Sequence, residues 1–182
     1  MLTNEEAFYH KLLLEAGETE ELEPVIDRLL AEEEPLSDVT LRLAYCHGDP
    51  NEQLSALNEY LSGVSFESMD TNAVFEKLKA YFRKAYEADP DDLKRLSKLM
   101  YRISNRTGHD LEEPWFQLWM IGEYYDCVED LSMHPDDFRE RLVAFLYRGE
   151  KVYPWKADQG QVKHDKKPRL LSRISEILFG RK

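Results

Sequence analysis

A thiol, an imidazole and a carboxylate stand together in the stretch CHGD, residues 46–49. Such groups could supply a nucleophile, a general base and an orienting acid. Adjacent residues point in different directions on a helix, however, and a nucleophile and its base normally meet through the fold. Gly48, Asp49 and Pro50 mark a break in the chain. We therefore interpret the stretch as a loop that caps the helix before it.

The five histidines show no metal-binding spacing. They lie in neither an HExxH motif nor a CxxC pair combined with histidines, and their positions are His10, His47, His109, His134 and His164. We therefore predict neither a bound metal nor a cofactor. An enzyme remains the alternative if distant groups converge in one pocket with shifted pKa values, and His47, Asp49 and His109 are the candidates.

Paired carboxylates occur at Glu20–Glu21, Glu32–Glu34, Asp91–Asp92 and Asp136–Asp137. Such pairs do acid–base chemistry when burial separates their pKa values. Most of these pairs stand at expected helix starts or ends, where acids complement the helix dipole or are solvated. We predict no catalytic residue from them.

The stretch PWFQLWMIGEYYDC, residues 114–127, predicts a helix that is apolar nearly all round. Such a helix is usually central and buried, and Gly122 would let a neighbouring helix approach closely. Trp and Tyr also dominate binding hot spots. The alternative is therefore that part of this surface anchors a partner, with Trp115, Trp119, Tyr124 and Tyr125 as candidate contacts.

The C-terminal stretch KHDKKPRLLSRISEILFGRK, residues 163–182, predicts a basic amphipathic helix. One apolar stripe contains Leu170, Leu171, Ile174, Ile177 and Leu178. The candidate partner-binding cations are Lys166, Lys167, Arg169 and Arg173. The helix could dock on its own body near the glutamates of residues 5–34, enter a partner's groove, or bind an anionic membrane or nucleic acid. We favour self-docking because a helix of about three turns is marginal alone in water.

Helical periodicity dominates the chain, and no stretch shows convincing strand alternation. Thr3 and Glu6 have the capping-box spacing, and Gly17 can close the first helix. The pattern predicts an all-α fold, a single irregular bundle of eight or nine helices. Residues 1–150 would form an acidic helical body. Residues 151–182 would form an extended segment and the C-terminal helix, which we expect to pack on that body.

Charge is distributed unevenly along the 182 residues. The chain has 36 acidic and 24 basic side chains, a net charge of −12. Residues 1–150 hold 33 acids and 15 bases, a net of −18, whereas residues 151–182 hold 3 acids and 9 bases, a net of +6. The acidic body would repel phosphate backbones, so nucleic acid could bind only through the C-terminal segment.

The N-terminal residues and the cysteines bear on localisation. Acids stand where a signal peptide needs bases, and no apolar run is long enough to span a membrane. Cys46 and Cys127 do not form a disulfide framework. We therefore expect a cytoplasmic protein.

The functional expectation is a non-catalytic intracellular protein that acts through protein–protein contacts. An inhibitor or immunity-like protein that neutralises a basic partner fits the acidic charge. Two alternatives stay open. One is an enzyme with a site assembled from distant residues. The other is an adaptor tethered to a membrane or nucleic acid by its basic C-terminal segment.

Overall fold

The computed structural model describes residues 1–152, which form an all-α bundle. Eight α-helices and no strand occur in this range: α1 (Asn4–Ala16), α2 (Glu23–Glu32), α3 (Asp38–Tyr45), α4 (Pro50–Tyr60), α5 (Thr71–Ala88), α6 (Leu93–Thr107), α7 (Trp115–Glu129) and α8 (Pro135–Val143). A short 3-10 turn (Phe66–Ser68) precedes α5, and a π-helical turn (Ala144–Arg148) follows α8. The all-α prediction is confirmed. The predicted C-terminal helix lies outside the described residues.

The first helix begins and ends as its sequence predicts. The Thr3 hydroxyl accepts a hydrogen bond from the Glu6 N–H at 3.1 Å, which satisfies a backbone donor at the helix start. Gly17 adopts the left-handed conformation at a φ of 92°, and its N–H bonds to the last carbonyls. Local capping therefore sets both ends of α1.

Helix α1 is buried on two sides because it lies between two apolar clusters. The larger cluster draws on α1 and α5 to α8, whereas the smaller draws on α1 to α4. Leu13 packs in the larger cluster, and its neighbour Leu14 packs in the smaller one. Helix α1 thus joins the N-terminal helices to the rest of the body.

Helices α6 and α7 form the most extensive helix–helix contact in the described part of the chain. A Cβ atom placed on Gly122 would lie 2.5 Å from the Tyr101 Cβ, closer than real side chains approach. The expected role of Gly122 in close helix packing is therefore confirmed.

The described chain ends against the start of α7. The N–H of Val152 donates to the Gln117 side-chain oxygen at 2.6 Å, and the Val152 side chain is buried. Lys151 lies 3.5 Å from the Glu113 carboxylate. Lys151 and Val152 therefore lie beside the N-terminal end of α7. Within residues 1–152, none of the helices is both long and apolar enough to cross a membrane.

Candidate functional site: an acidic face on α2

The aromatic residues of α7 lie mostly in the core. Trp115 is 1% exposed, Trp119 is 5% exposed and Tyr124 is 1% exposed, so these three side chains offer no surface to a partner. Tyr125 is half-buried, with its ring edge-on to Phe138 at 5.3 Å. The structure thus places α7 as a central helix. The four candidate cations, Lys166, Lys167, Arg169 and Arg173, lie outside the described residues.

The CHGD loop caps helices on both sides. Cys46 ends α3, and its Sγ donates to the Arg42 carbonyl at 3.1 Å. Burial raises the pKa of the Cys46 thiol, which therefore stays protonated at neutral pH. The Asp49 carboxylate accepts from the N–H groups of Asn51 and Glu52, which begins α4. The loop caps the preceding helix as expected, and also the following one.

The His109 side chain packs against an aromatic ring and lies beside a carboxylate. Its ring stacks on Phe66 with centroids 3.8 Å apart, and its Nδ1 lies 3.2 Å from the Glu112 carboxylate. No hydrogen bond, ion pair or ring contact among the described residues joins His109 to His47 or Asp49. Residues 1–152 also hold no cluster of three metal-ligating side chains.

A shallow cavity of about 290 Å³ opens between α3 and α4, lined by Arg42, Tyr45, Cys46, Glu52 and Ser55. Its cation is already neutralised, because the Arg42 guanidinium forms an ion pair with Glu59. Its thiol is protonated, as described above. The cavity therefore presents neither an unpaired cation nor an activated nucleophile.

Helix α2 carries an exposed acidic surface. Its buried side holds Leu22, Ile26 and Leu29, which pack in the smaller apolar cluster. On the remaining sides of the helix and in the flanking connections, six carboxylates are exposed: Glu20, Glu23, Asp27, Glu32, Glu34 and Asp38. None of the six forms an ion pair with another residue of 1–152. Their charge is therefore uncompensated at short range.

The acids next to these six carboxylates, in contrast, form ion pairs or hydrogen bonds with other residues. Glu18 pairs with Arg95 at 3.0 Å, and Glu21 pairs with Lys84 at 3.1 Å. Glu33 accepts hydrogen bonds from the hydroxyls of Thr40 and Ser37, and the Thr40 bond is the main cause that lowers the pKa of Glu33. These acids fasten α2 and its flanks to other helices, whereas the six exposed carboxylates have no such role apart from a hydrogen bond from Gln53 to Glu23.

Two apolar side chains are exposed among these charges. Leu30 is 42% exposed and Leu36 is 36% exposed. Leu30 follows Glu23 and Asp27 at helical spacing, so the three lie along one side of α2. Glu32 follows Asp27 by five residues and therefore lies on the other exposed side of the helix. We use the name acidic α2 face for the exposed acids and leucines of α2 and its flanking connections: Glu20, Glu23, Asp27, Leu30, Glu32, Glu34, Leu36 and Asp38.

The crowding of glutamates in the N-terminal sequence does not by itself single out α2. The signal was present, because Arg28 is the only basic residue between Lys11 and Arg42. Which acids are paired by distant cations depends on tertiary structure. Comparisons with protein-family models, curated proteins and solved structures find no match to this chain.

Proposed function

We propose that this chain is a non-catalytic binding protein and that the acidic α2 face is its contact surface for a basic protein. The proposal is carried by one observation: six exposed carboxylates without an ion-pair partner in the described chain, and two exposed leucines, lie on α2 and its flanking connections. An inhibitor or immunity-like role, in which the face covers a cationic cleft, is the form of binding that this chemistry suits.

The two components of the face would contribute differently to binding. Carboxylates that meet a cationic surface steer the encounter and select the partner, more than they add affinity. Leu30 and Leu36 supply apolar area, and such area is the usual source of affinity in an interface core. The partner should therefore present lysines or arginines around an apolar contact.

The length of the face is consistent with part of an interface. Ten helical residues extend about 15 Å, and the connections at both ends lengthen the surface.

Cys46 and Cys127 are both buried and free, which fits a reducing compartment. This supports the proposed cytoplasmic location.

The experiment compares two full-length variants with the same change in net charge. The α2 variant carries Asp27→Asn, Glu32→Gln and Glu34→Gln. The control variant carries Asp130→Asn, Asp137→Asn and Glu140→Gln, three exposed acids without an ion-pair partner among residues 1–152. Neither set includes a side chain that caps a helix through a hydrogen bond in the structure.

Proteins captured by the wild type from cytoplasmic extract are identified, purified and titrated against all three chains. We expect a basic partner whose Kd weakens roughly tenfold or more with the α2 variant, because three interfacial charges of about 0.5 kcal/mol each are removed. The control variant should bind like the wild type. Equal weakening by both variants would show that net charge alone drives binding, and the proposal would be wrong.

A further inference from the structure

The one cation of α2, Arg28, is paired with Glu6, and the same chain carries a surplus of cations elsewhere. Residues 1–152 hold 33 acidic and 16 basic side chains, a net of −17. Residues 163–182 hold two acids and seven bases, a net of +5. The charge of this C-terminal segment is therefore complementary to the face, and the two are present at a fixed one-to-one ratio.

The apolar residues of the segment and of the face are also complementary. The sequence of the segment predicts a stripe of five aliphatic side chains with cations beside it, whereas the face has Leu30 and Leu36 with carboxylates beside them. An amphipathic helix needs an apolar surface to pack on, because a helix of this length is marginal in water. The face offers both the apolar contact and the opposite charge.

Chain length permits the contact. The described chain ends at Val152 beside Gln117. The apolar stripe of the segment begins at Leu170, so the 15 residues 153–167 before the predicted helix can carry it at most about 50 Å when extended. A body of 152 residues has a radius of gyration of about 15 Å, so its opposite side is roughly 40 Å away. A tethered segment also reaches an effective concentration in the millimolar range when its linker spans the distance.

We propose that residues 163–182 bind the acidic α2 face of their own chain and thereby compete with the basic partner. The regulatory consequence rests on the proposed function, because the segment can inhibit only if the face binds a partner. Weak attraction between the segment and the face would suffice, since the tether keeps the two together. A partner would then bind by displacing the segment.

The contact itself is tested without any partner. The full-length chain carries Ser172→Cys with a nitroxide label, and the unsubstituted chain measures background labelling of the buried Cys46 and Cys127. We expect paramagnetic broadening of the backbone amides of α2. The broadening should be lost when the α2 variant is introduced, and kept with the control variant. Broadening confined to other helices, or its absence from α2, would overturn the proposal.

Competition is tested with a synthetic peptide of residues 163–182 as the probe. In full-length chain carrying Lys166→Glu, Lys167→Glu, Arg169→Glu and Arg173→Glu, the face should be free. This chain should bind the peptide roughly tenfold more tightly than the wild type does, because the tethered competitor is removed. Equal peptide affinity for the two chains would contradict competition.

The two proposals fail in different ways. If a partner distinguishes the α2 variant from the control variant but α2 shows no broadening, the proposed function stands and the intramolecular contact is wrong. If α2 is broadened but no partner distinguishes the α2 variant from the control variant, the face binds only the segment of its own chain. The proposed function is then wrong.

Discussion

The Arg28 guanidinium donates to the Glu6 carboxylate at 2.7 Å, which ties the one cation of α2 to α1. Arg28 is the only basic residue between Lys11 and Arg42, so no other local cation is available to the six exposed carboxylates. The pairing therefore has two effects. It fastens α2 to the body. It also means that the one cation of α2 is already paired and does not neutralise the exposed carboxylates.

Breaking this pair should change stability only slightly. Both side chains are partly exposed, so solvent screens their attraction, and such pairs contribute about 0.2–1 kcal/mol. We expect Arg28→Gln to lower the free energy of unfolding by less than about 1 kcal/mol. Urea unfolding of Arg28→Gln, Glu6→Gln and the double variant measures the coupling. A double variant that loses the full sum of both single effects would show that the pair contributes nothing.

Replacing Leu131 by glycine should stabilise the protein. Leu131 follows the C-terminus of α7 with a φ of 58° and a side chain that is 92% exposed. Its N–H and that of Ser132 bond to the carbonyls of Val128 and Cys127, the pattern of a Schellman motif in which glycine is usual. Leu131→Gly should raise the free energy of unfolding by about 0.5–1 kcal/mol, because the left-handed conformation is strained for leucine.

The matched control for this position is Leu131→Ala. Alanine keeps the Cβ atom and therefore most of the strain, while it removes the exposed leucine side chain. Urea unfolding should show no comparable gain for alanine. If alanine stabilises the chain as much as glycine, the gain comes from loss of exposed apolar surface and not from the backbone.

Gly122→Ala should destabilise the contact between α6 and α7. In an ordinary exposed helix this change is favourable by about 1 kcal/mol, because alanine is the better helix former. Here the added Cβ would lie 2.5 Å from the Tyr101 Cβ, so the helices must separate. We expect a loss of about 1–3 kcal/mol in the free energy of unfolding. Unchanged or increased stability in thermal or urea unfolding would contradict the close packing.

His10 makes the stability depend on pH. Its side chain is buried in α1, and burial lowers its pKa from 6.5 to about 4. As pH falls below 6.5, the unfolded chain takes up the proton first, so the folded state loses stability between pH 6.5 and pH 4. Between pH 7 and pH 5 the loss from this group should be about 2 kcal/mol.

The measurement compares urea unfolding of the wild type, His10→Gln and His47→Asn at pH 7 and pH 5. His47 is exposed and has a φ of 48°, a conformation that asparagine tolerates, so its replacement should leave the pH dependence intact. His10→Gln should remove about 2 kcal/mol of that dependence. If His10→Gln and the wild type respond equally to pH, the histidine is not the cause.

Much of the fold could be predicted because its signals are local. The capping of α1 by Thr3 and Gly17, and the close packing at Gly122, follow from residue type and spacing. The opposite packing of Leu13 and Leu14 could not be predicted, because a stripe broadened by adjacent leucines also describes a helix buried on one side. Only the neighbouring helices show that both sides of α1 are covered.

The candidate site was harder to predict for the same reason. The number of acids was plain from the sequence, but Glu18 and Glu21 are neutralised by cations that lie more than sixty residues away. The aromatic residues of α7 were conspicuous in the sequence, but their role was ambiguous. Their composition fits both a binding hot spot and a core helix, and the burial of Trp115 and Trp119 follows from packing against α5 and α6.

The central claim is that the acidic α2 face contacts a basic partner, and hydrogen exchange on the complex tests it most directly. The full-length chain carrying Lys166→Glu, Lys167→Glu, Arg169→Glu and Arg173→Glu, in which the face should be free of the tethered segment, is measured by mass spectrometry alone and with the purified partner at saturating concentration. We predict slower exchange in peptides covering residues 20–38 when the partner is bound. Unchanged exchange there, with new protection in α7, α8 or another part of the body, would contradict the claim.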